Sequence, residues 1–164
     1  MKTITITITL TITKTITLTL TITTMKQPRG LRNNNPLNIR KSRHTTWLGQ
    51  SEKQEDRAFV QFRSMAYGYR AAFKLLQNYR VLHDCMTLRQ YIQRWAPPIE
   101  NNTDAYVGSV ARTAGVGADT LLPSPRKAKA LWVKIAAGMH LVENGMMPIT
   151  SQIEEGWELA FGVV

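Results

Sequence analysis

The first 24 residues constrain this chain more than any other stretch. They read MKTITITITLTITKTITLTLTITT, with Thr at odd positions from Thr3 onward and Ile or Leu at even ones. Lys14 interrupts the apolar row and Thr24 ends the pattern. Alternation of β-branched residues at period two commits a segment to extended structure. No Gly, Pro, Asn or Asp stands within it to make a turn, so one long strand is expected rather than a tidy hairpin. At about 3.3 Å per residue such a strand would reach roughly 75 Å. Left exposed, it would invite self-association.

The same segment lacks the continuous apolar run of a secretion signal or a membrane span. A two-residue repeat is what a short tandem DNA repeat encodes, and Met25-Lys26-Gln27 reads as an ordinary start. The expected organisation is therefore a low-complexity Thr/Ile tail over 1–24, outside the working protein, and one domain over 25–164. The rival reading of the tail is a fibre- or assembly-forming segment.

About 140 residues suffice for one domain with a proper core. Lys and Arg number 21 against 11 Asp and Glu, a net charge of +10, and only Lys2 and Lys14 fall in the tail. A basic domain favours polyanions: nucleic acid, anionic lipid, or a bacterial wall with its carboxylates and phosphates. No recognition-helix, zinc-finger or aromatic RNA-binding pattern accompanies the charge, which leaves nucleic acid only a non-specific attraction. Cys85 stands alone, which excludes an internal disulfide and a cysteine metal cage. His44, His83 and His140 are too scattered for a zinc site, and no metal or cofactor is expected.

Beyond the tail, 39–62 reads as short extended pieces, with Phe59-Val60-Gln61-Phe62 alternating as a strand. Helical periodicity follows. Ser64 can cap a helix bearing Met65, Tyr69, Phe73 and Leu76 on one face. Thr87 and Gln90 form a capping-box pattern before Leu88, Tyr91, Ile92 and Trp95, and Pro97-Pro98 ends that helix. A third helix fits about 103–114, closed by Gly115. Ser124-Pro125 suggests the start of a fourth, carrying Leu131, Ile135, Met139 and Val142 and stopping at Gly145. Ser151 and Glu154 propose another capping box before Ile153, Trp157 and Phe161. The expected fold class is α+β, mainly helical, with a small extended lobe near its start.

The segment from Arg29 to Arg40, RGLRNNNPLNIR, is too polar for a core element and too specific for a linker. Asparagine amides donate and accept, which suits a loop holding a hydroxyl- and amide-rich ligand such as a glycan. That motif, followed by Trp47-Leu48-Gly49, FVQF, MAYGYRAA from Met65 and WAPPIENNTDAYV, resembles a phage- and mobile-element-associated lysozyme-like family. Its members are often labelled virion structural proteins or peptidoglycan lytic enzymes. The order Asn-Pro-x-Asn-Ile, Trp-x-Gly and Phe-x-x-Phe is similar to bacterial wall glucosaminidases. Pro98-Ile99-Glu100 with Tyr106-Val107 downstream is similar to a late motif of soluble lytic transglycosylases. The resemblance spans nearly all of Arg29 to Gly162 and implies a lysozyme-like fold that cuts or binds peptidoglycan glycan strands.

Cutting a glycosidic bond needs a carboxylic acid to protonate the leaving oxygen. Glu100 follows the rigid Trp95-Ala96-Pro97-Pro98 corner, where an apolar wall would raise its pKa; alternatively it serves only the dipole of the next helix. Glu55, with Glu52 and Asp56, offers acids in the extended lobe, or a solvated charge run. Asn33, Asn34, Asn35, Asn38, Arg40 and Asn101 are candidate glycan contacts, although Asn-Asn-Pro is equally a good turn. Trp47, Tyr67 and Tyr106 are candidates for stacking on sugar faces.

One departure from the resembled enzymes stands out. Their catalytic glutamate lies on a helix before the segment similar to Asn35–Arg40, and residues 1–28 contain no acidic residue. Either the acid comes from elsewhere in the chain, or the domain binds glycan without cutting it. With no export signal, a protein of this kind would stay cytoplasmic until packaged in a virion, among virion components, or released to the wall.

Overall fold

The structure is a computed structural model, and it describes residues 3–12, 14–23, 26–98 and 102–162. Glu100 and Asn101 lie outside the described residues.

The Thr/Ile segment folds back on itself, contrary to the expected single strand. Strand β1 (Thr3–Ile12) pairs antiparallel with β2 (Lys14–Thr23), from Thr3 opposite Thr23 to Ile12 opposite Lys14. Thr meets Thr along the ladder, and Ile meets Ile or Leu until Lys14. A strictly alternating sequence matches its own reverse at any even offset, so the pattern supplies the pairing without a turn dipeptide.

The remaining described chain is mainly helical. Helices α1 (Arg29–Arg32), α2 (Met65–His83), α3 (Leu88–Trp95), α4 (Thr103–Ala114), α5 (Lys129–Asn144) and α6 (Thr150–Phe161) follow in order. Helix α2 is the central rod. Its Tyr69, Phe73 and Leu76, at helical spacing, are fully buried, and α6 packs along it where Gly156 meets Ala66 and Tyr69. Helix α5 crosses α4 at Gly138, whose missing side chain lets Val110 and Thr113 approach. Trp132 of α5 meets Tyr91 of α3 edge-on, with ring centroids 4.8 Å apart, and both are fully buried.

The caps follow the sequence in part. Thr87 and Gln90 complete the expected box: the Gln90 amide N–H donates to Thr87 Oγ1 at 3.4 Å, and Gln90 Oε1 accepts from the Thr87 N–H at 3.0 Å. Asn102 caps α4 through the Ala105 N–H at 3.2 Å. The Ser151–Glu154 pair forms no cap, because α6 already starts at Thr150 behind Ile149. Helix α5 begins at Lys129 rather than beside Pro125. The 124–127 turn is tied instead to α2, since Gln77 Oε1 accepts from Ser124 Oγ and the Arg126 N–H.

The extended lobe, 33–63, holds no regular strand. Isolated bridges join Arg40 to Phe59 and Gln50 to Phe62. Leu37, Ile39, Val60 and Phe62 point from it into the common core, so lobe and helices share one apolar interior. No helix of the described residues is long and apolar enough to cross a membrane.

Candidate functional site

The asparagine run is the hinge between lobe and helices. Asn33 closes α1, and its Nδ2 donates to Asp56 Oδ2 at 2.8 Å. Asn34 takes the left-handed region, φ 49°, which asparagine tolerates better than most residues, and donates to the Phe62 carbonyl at 3.1 Å. Asn35 is fully buried. Its Nδ2 serves the carbonyls of Ile39 and Val60 at 2.9 and 2.8 Å, while its Oδ1 accepts from the Ile39 N–H at 2.8 Å. The side chain thus replaces a piece of β-ladder and leaves no atom for a ligand. Helix α2 passes so close that a Cβ on Gly68 would come within 2.3 Å of the Asn34 carbonyl oxygen.

Asp56 anchors the other end of the lobe. Its carboxylate takes the Arg29 guanidinium in a two-point grip at 2.7 Å each, and accepts from the Ala58 and Phe59 N–H groups. The Arg29 bond first, then Asn33 and the backbone donors, hold it well below the usual carboxylate range against the effect of burial. Glu55 beside it is exposed, in a shallow hollow with Arg32 and Arg57. These two acids do not share the cleft described next.

Between the lobe and the helices run two adjoining hollows of about 470 and 420 Å³, which share Asn38, Arg40 and Trp95. Trp47 and Tyr79 line one; Phe59, Arg94, Pro97 and Glu143 line the other. Arg40 reaches over the Phe59 ring at 5.5 Å. Arg94 is fixed at the rim by the Tyr79 face at 5.2 Å and by His83 Nε2 at 2.7 Å.

Glu143, in the last turn of α5, is the acid that the sequence reading missed. It is half-buried, and both oxygens accept hydrogen bonds: Tyr106 Oη donates to Oε1 at 2.9 Å, and Asn38 Nδ2 to Oε2 at 2.8 Å. One carboxylate therefore ties lobe, α4 and α5 together. Burial first, and then the Glu143 charge, push the Tyr106 hydroxyl far above its ordinary pKa, so it stays a proton donor. Asn38 reaches Glu143 from a left-handed backbone, φ 53°, and its Oδ1 is buried with no partner among the described residues. Both Asn38 Oδ1 and Asn144 Oδ1 face Gly30, where a Cβ would meet them at 3.2 and 2.6 Å.

A signal for Glu143 existed. It is the one acidic residue between Asp119 and Glu154, and it stands at a helix C-terminus, where the dipole favours a base. An acid in that place has to be held by something else.

Of the sequence candidates, Asn38, Arg40 and Trp47 line the cleft, and Tyr106 reaches it through its hydroxyl. Tyr106 is otherwise buried, with no face open for stacking. Tyr67 lies under Arg63 and against Gly49, away from the cleft. Asn34 and Asn35 are structural in their bonding, and Glu52 and Glu55 are exposed and line neither hollow. Trp95, Arg94 and Glu143 were not singled out for this role. Among the described residues, no group of His, Cys, Asp and Glu could hold a metal ion.

No protein-family model matches this chain. It is 34% identical over 139 residues to Protein P5 of Pseudoalteromonas phage PM2, an alignment that covers 81% of this chain and 82% of that protein. With that identity over most of both proteins, the chain is phage-related and belongs to the family of Protein P5.

Proposed function

We propose that this protein takes a peptidoglycan glycan strand into the cleft between lobe and helices, and that Glu143 serves cleavage of the glycosidic bond. The observation behind this reading is the placement of Glu143, a half-buried carboxylate on the cleft wall between a tyrosine hydroxyl and a lobe amide. Trp47 and Trp95 offer apolar faces to sugar rings, and Arg40 and Arg94 attract the carboxylates of the peptide stems.

Two-carboxylate glycosidases place their acids about 5–5.5 or 6.5–9.5 Å apart. Glu143 is the one carboxylate among the described residues lining either hollow. Acting alone among the described carboxylates of the cleft, Glu143 would serve lytic transglycosylation, where a hydroxyl of the sugar itself attacks and an anhydro-sugar end results. To act as the acid, Glu143 must first take up a proton, which displaces one of its two donors; it passes that proton to the leaving oxygen and takes one back from the attacking hydroxyl as the ring closes. Asn38, on the lobe, is the one that lobe motion would withdraw.

A second reading rests on the same bonds. Both oxygens of Glu143 are already satisfied, which suits a structural brace in a wall-binding or virion component that does not cut.

The two are separated by incubating protein with purified peptidoglycan and analysing the soluble fraction by mass spectrometry. Anhydro-ended muropeptides are expected from the wild type, and at least about 100-fold fewer from Glu143→Gln assayed well below its own unfolding temperature. Equal release by Glu143→Gln would remove Glu143 from the chemistry. Glu100→Gln and Glu55→Gln in the same assay would then locate the acid. Protein that pellets with the wall and releases nothing would establish the binding role.

A further inference from the structure

A second charged surface lies on the far side of α2 from the cleft. Leu75 and Tyr79 line the cleft, whereas Arg70, Lys74 and Gln77 lie on the opposite face at 100° per residue. Gln77 pins the 124–127 turn to this face, accepting from Ser124 Oγ at 2.9 Å and from the Arg126 N–H at 3.2 Å. That places Arg126 beside the stretch of α2 that carries Lys74, one helical turn from Arg70, near enough for both charges to act on the Lys74 ammonium.

The three cations have no ionic partner among the described residues. Arg70 Nε is buried and without an acceptor, although its proton cannot be given up. Lys74 rests its ammonium 5.2 Å over the Phe161 ring. Of the acids on α6, Glu158 pairs with Lys129 at 2.6 Å, and Glu154 and Glu155 make no ion pair with the three cations. Burial, Arg70 and Arg126 all lower the proton affinity of Lys74, as unrelieved like charges do. An anion would relieve the repulsion.

We propose that Arg70, Lys74 and Arg126 form a binding site for a phosphate group, either inorganic phosphate or the headgroup of an anionic lipid. A forked guanidinium suits tetrahedral oxyanions, a lysine adds a point charge, and a doubly anchored turn holds the third cation in place. The site is independent of the cleft and of what the cleft does.

The test is calorimetric titration of the full-length protein with inorganic phosphate, against chloride at matched ionic strength. Saturable phosphate binding is expected for the wild type, and binding at least about five-fold weaker for Arg126→Gln and Lys74→Met. Arg126 is exposed, so its replacement leaves the fold intact. Flotation with phosphatidylglycerol vesicles, lost in Arg126→Gln, would assign the group to a lipid headgroup. Phosphate binding without flotation would assign it to soluble phosphate. No saturable binding, or equal binding by Arg126→Gln, would overturn the proposal.

Discussion

Asn35 shows how a residue type can be right and its purpose different. An asparagine beside other asparagines in a polar loop suggests an open amide, but this one is fully buried and makes three hydrogen bonds within the lobe. Asn35→Ala would strand the Ile39 N–H and the Val60 carbonyl in the interior, while the Ile39 carbonyl keeps the Val60 N–H. A loss of roughly 2–4 kcal/mol is expected in chemical denaturation, because buried unpaired groups carry their full desolvation cost. A loss under about 0.5 kcal/mol would mean that water reaches the site. Glu143 is the converse: nothing in its sequence neighbourhood names a partner, because Tyr106 and Asn38 are 37 and 105 residues away. Long-range pairing of polar groups leaves no periodicity to read.

Elements were legible where local chemistry decides them. The helix over Met65–His83 follows from its apolar spacing, and the one over Leu88–Trp95 from the reciprocal Thr87–Gln90 box. Thr87→Ala is expected to cost about 1 kcal/mol in thermal or urea unfolding, the usual worth of an N-cap. No change would show that tertiary packing alone sets the start of α3. The starts of α5 and α6 were misread because serine-proline and serine-glutamate patterns compete with tertiary bonds. Gln77 captured the first, and Ile149 precedes a helix that starts without a side-chain cap. The extended lobe was recognisable as extended, but its bridges depend on Asp56 and Asn35 rather than on strand propensity. The hairpin of β1 and β2 was missed because turn chemistry was weighed above the self-matching of a perfect repeat.

At the scale of the molecule, buried polar groups couple stability to pH. Burial lowers the pKa of His140, whose Nδ1 lies 2.7 Å from the Tyr69 hydroxyl. The unfolded chain therefore takes up that proton first, and stability falls as pH drops below about 6.5. Asp56 is depressed in the folded state, so its contribution is complete above the ordinary carboxylate value and is lost as pH falls below about 4. Both effects destabilise on acidification, in separate windows. Thermal unfolding across pH is expected to decline in two stages, with Asp56→Asn shrinking the lower one, to which Asp119, held down by its bond to Arg89, also contributes. A melting temperature level from about pH 7 to pH 5 would contradict the account of His140.

The cleft is the central claim, and its tryptophans report on it. The chain has four: Trp47 and Trp95 line the cleft, whereas the Trp132 and Trp157 indoles donate to the carbonyls of Pro123 and Pro125. The direct measurement is a proton–nitrogen correlation spectrum recorded while a soluble peptidoglycan oligosaccharide is titrated in. Saturable shifts are expected at the indole N–H signals of Trp47 and Trp95, with those of Trp132 and Trp157 unmoved. No shifts at saturating oligosaccharide, or shifts confined to Trp132 and Trp157, would contradict a glycan in this cleft.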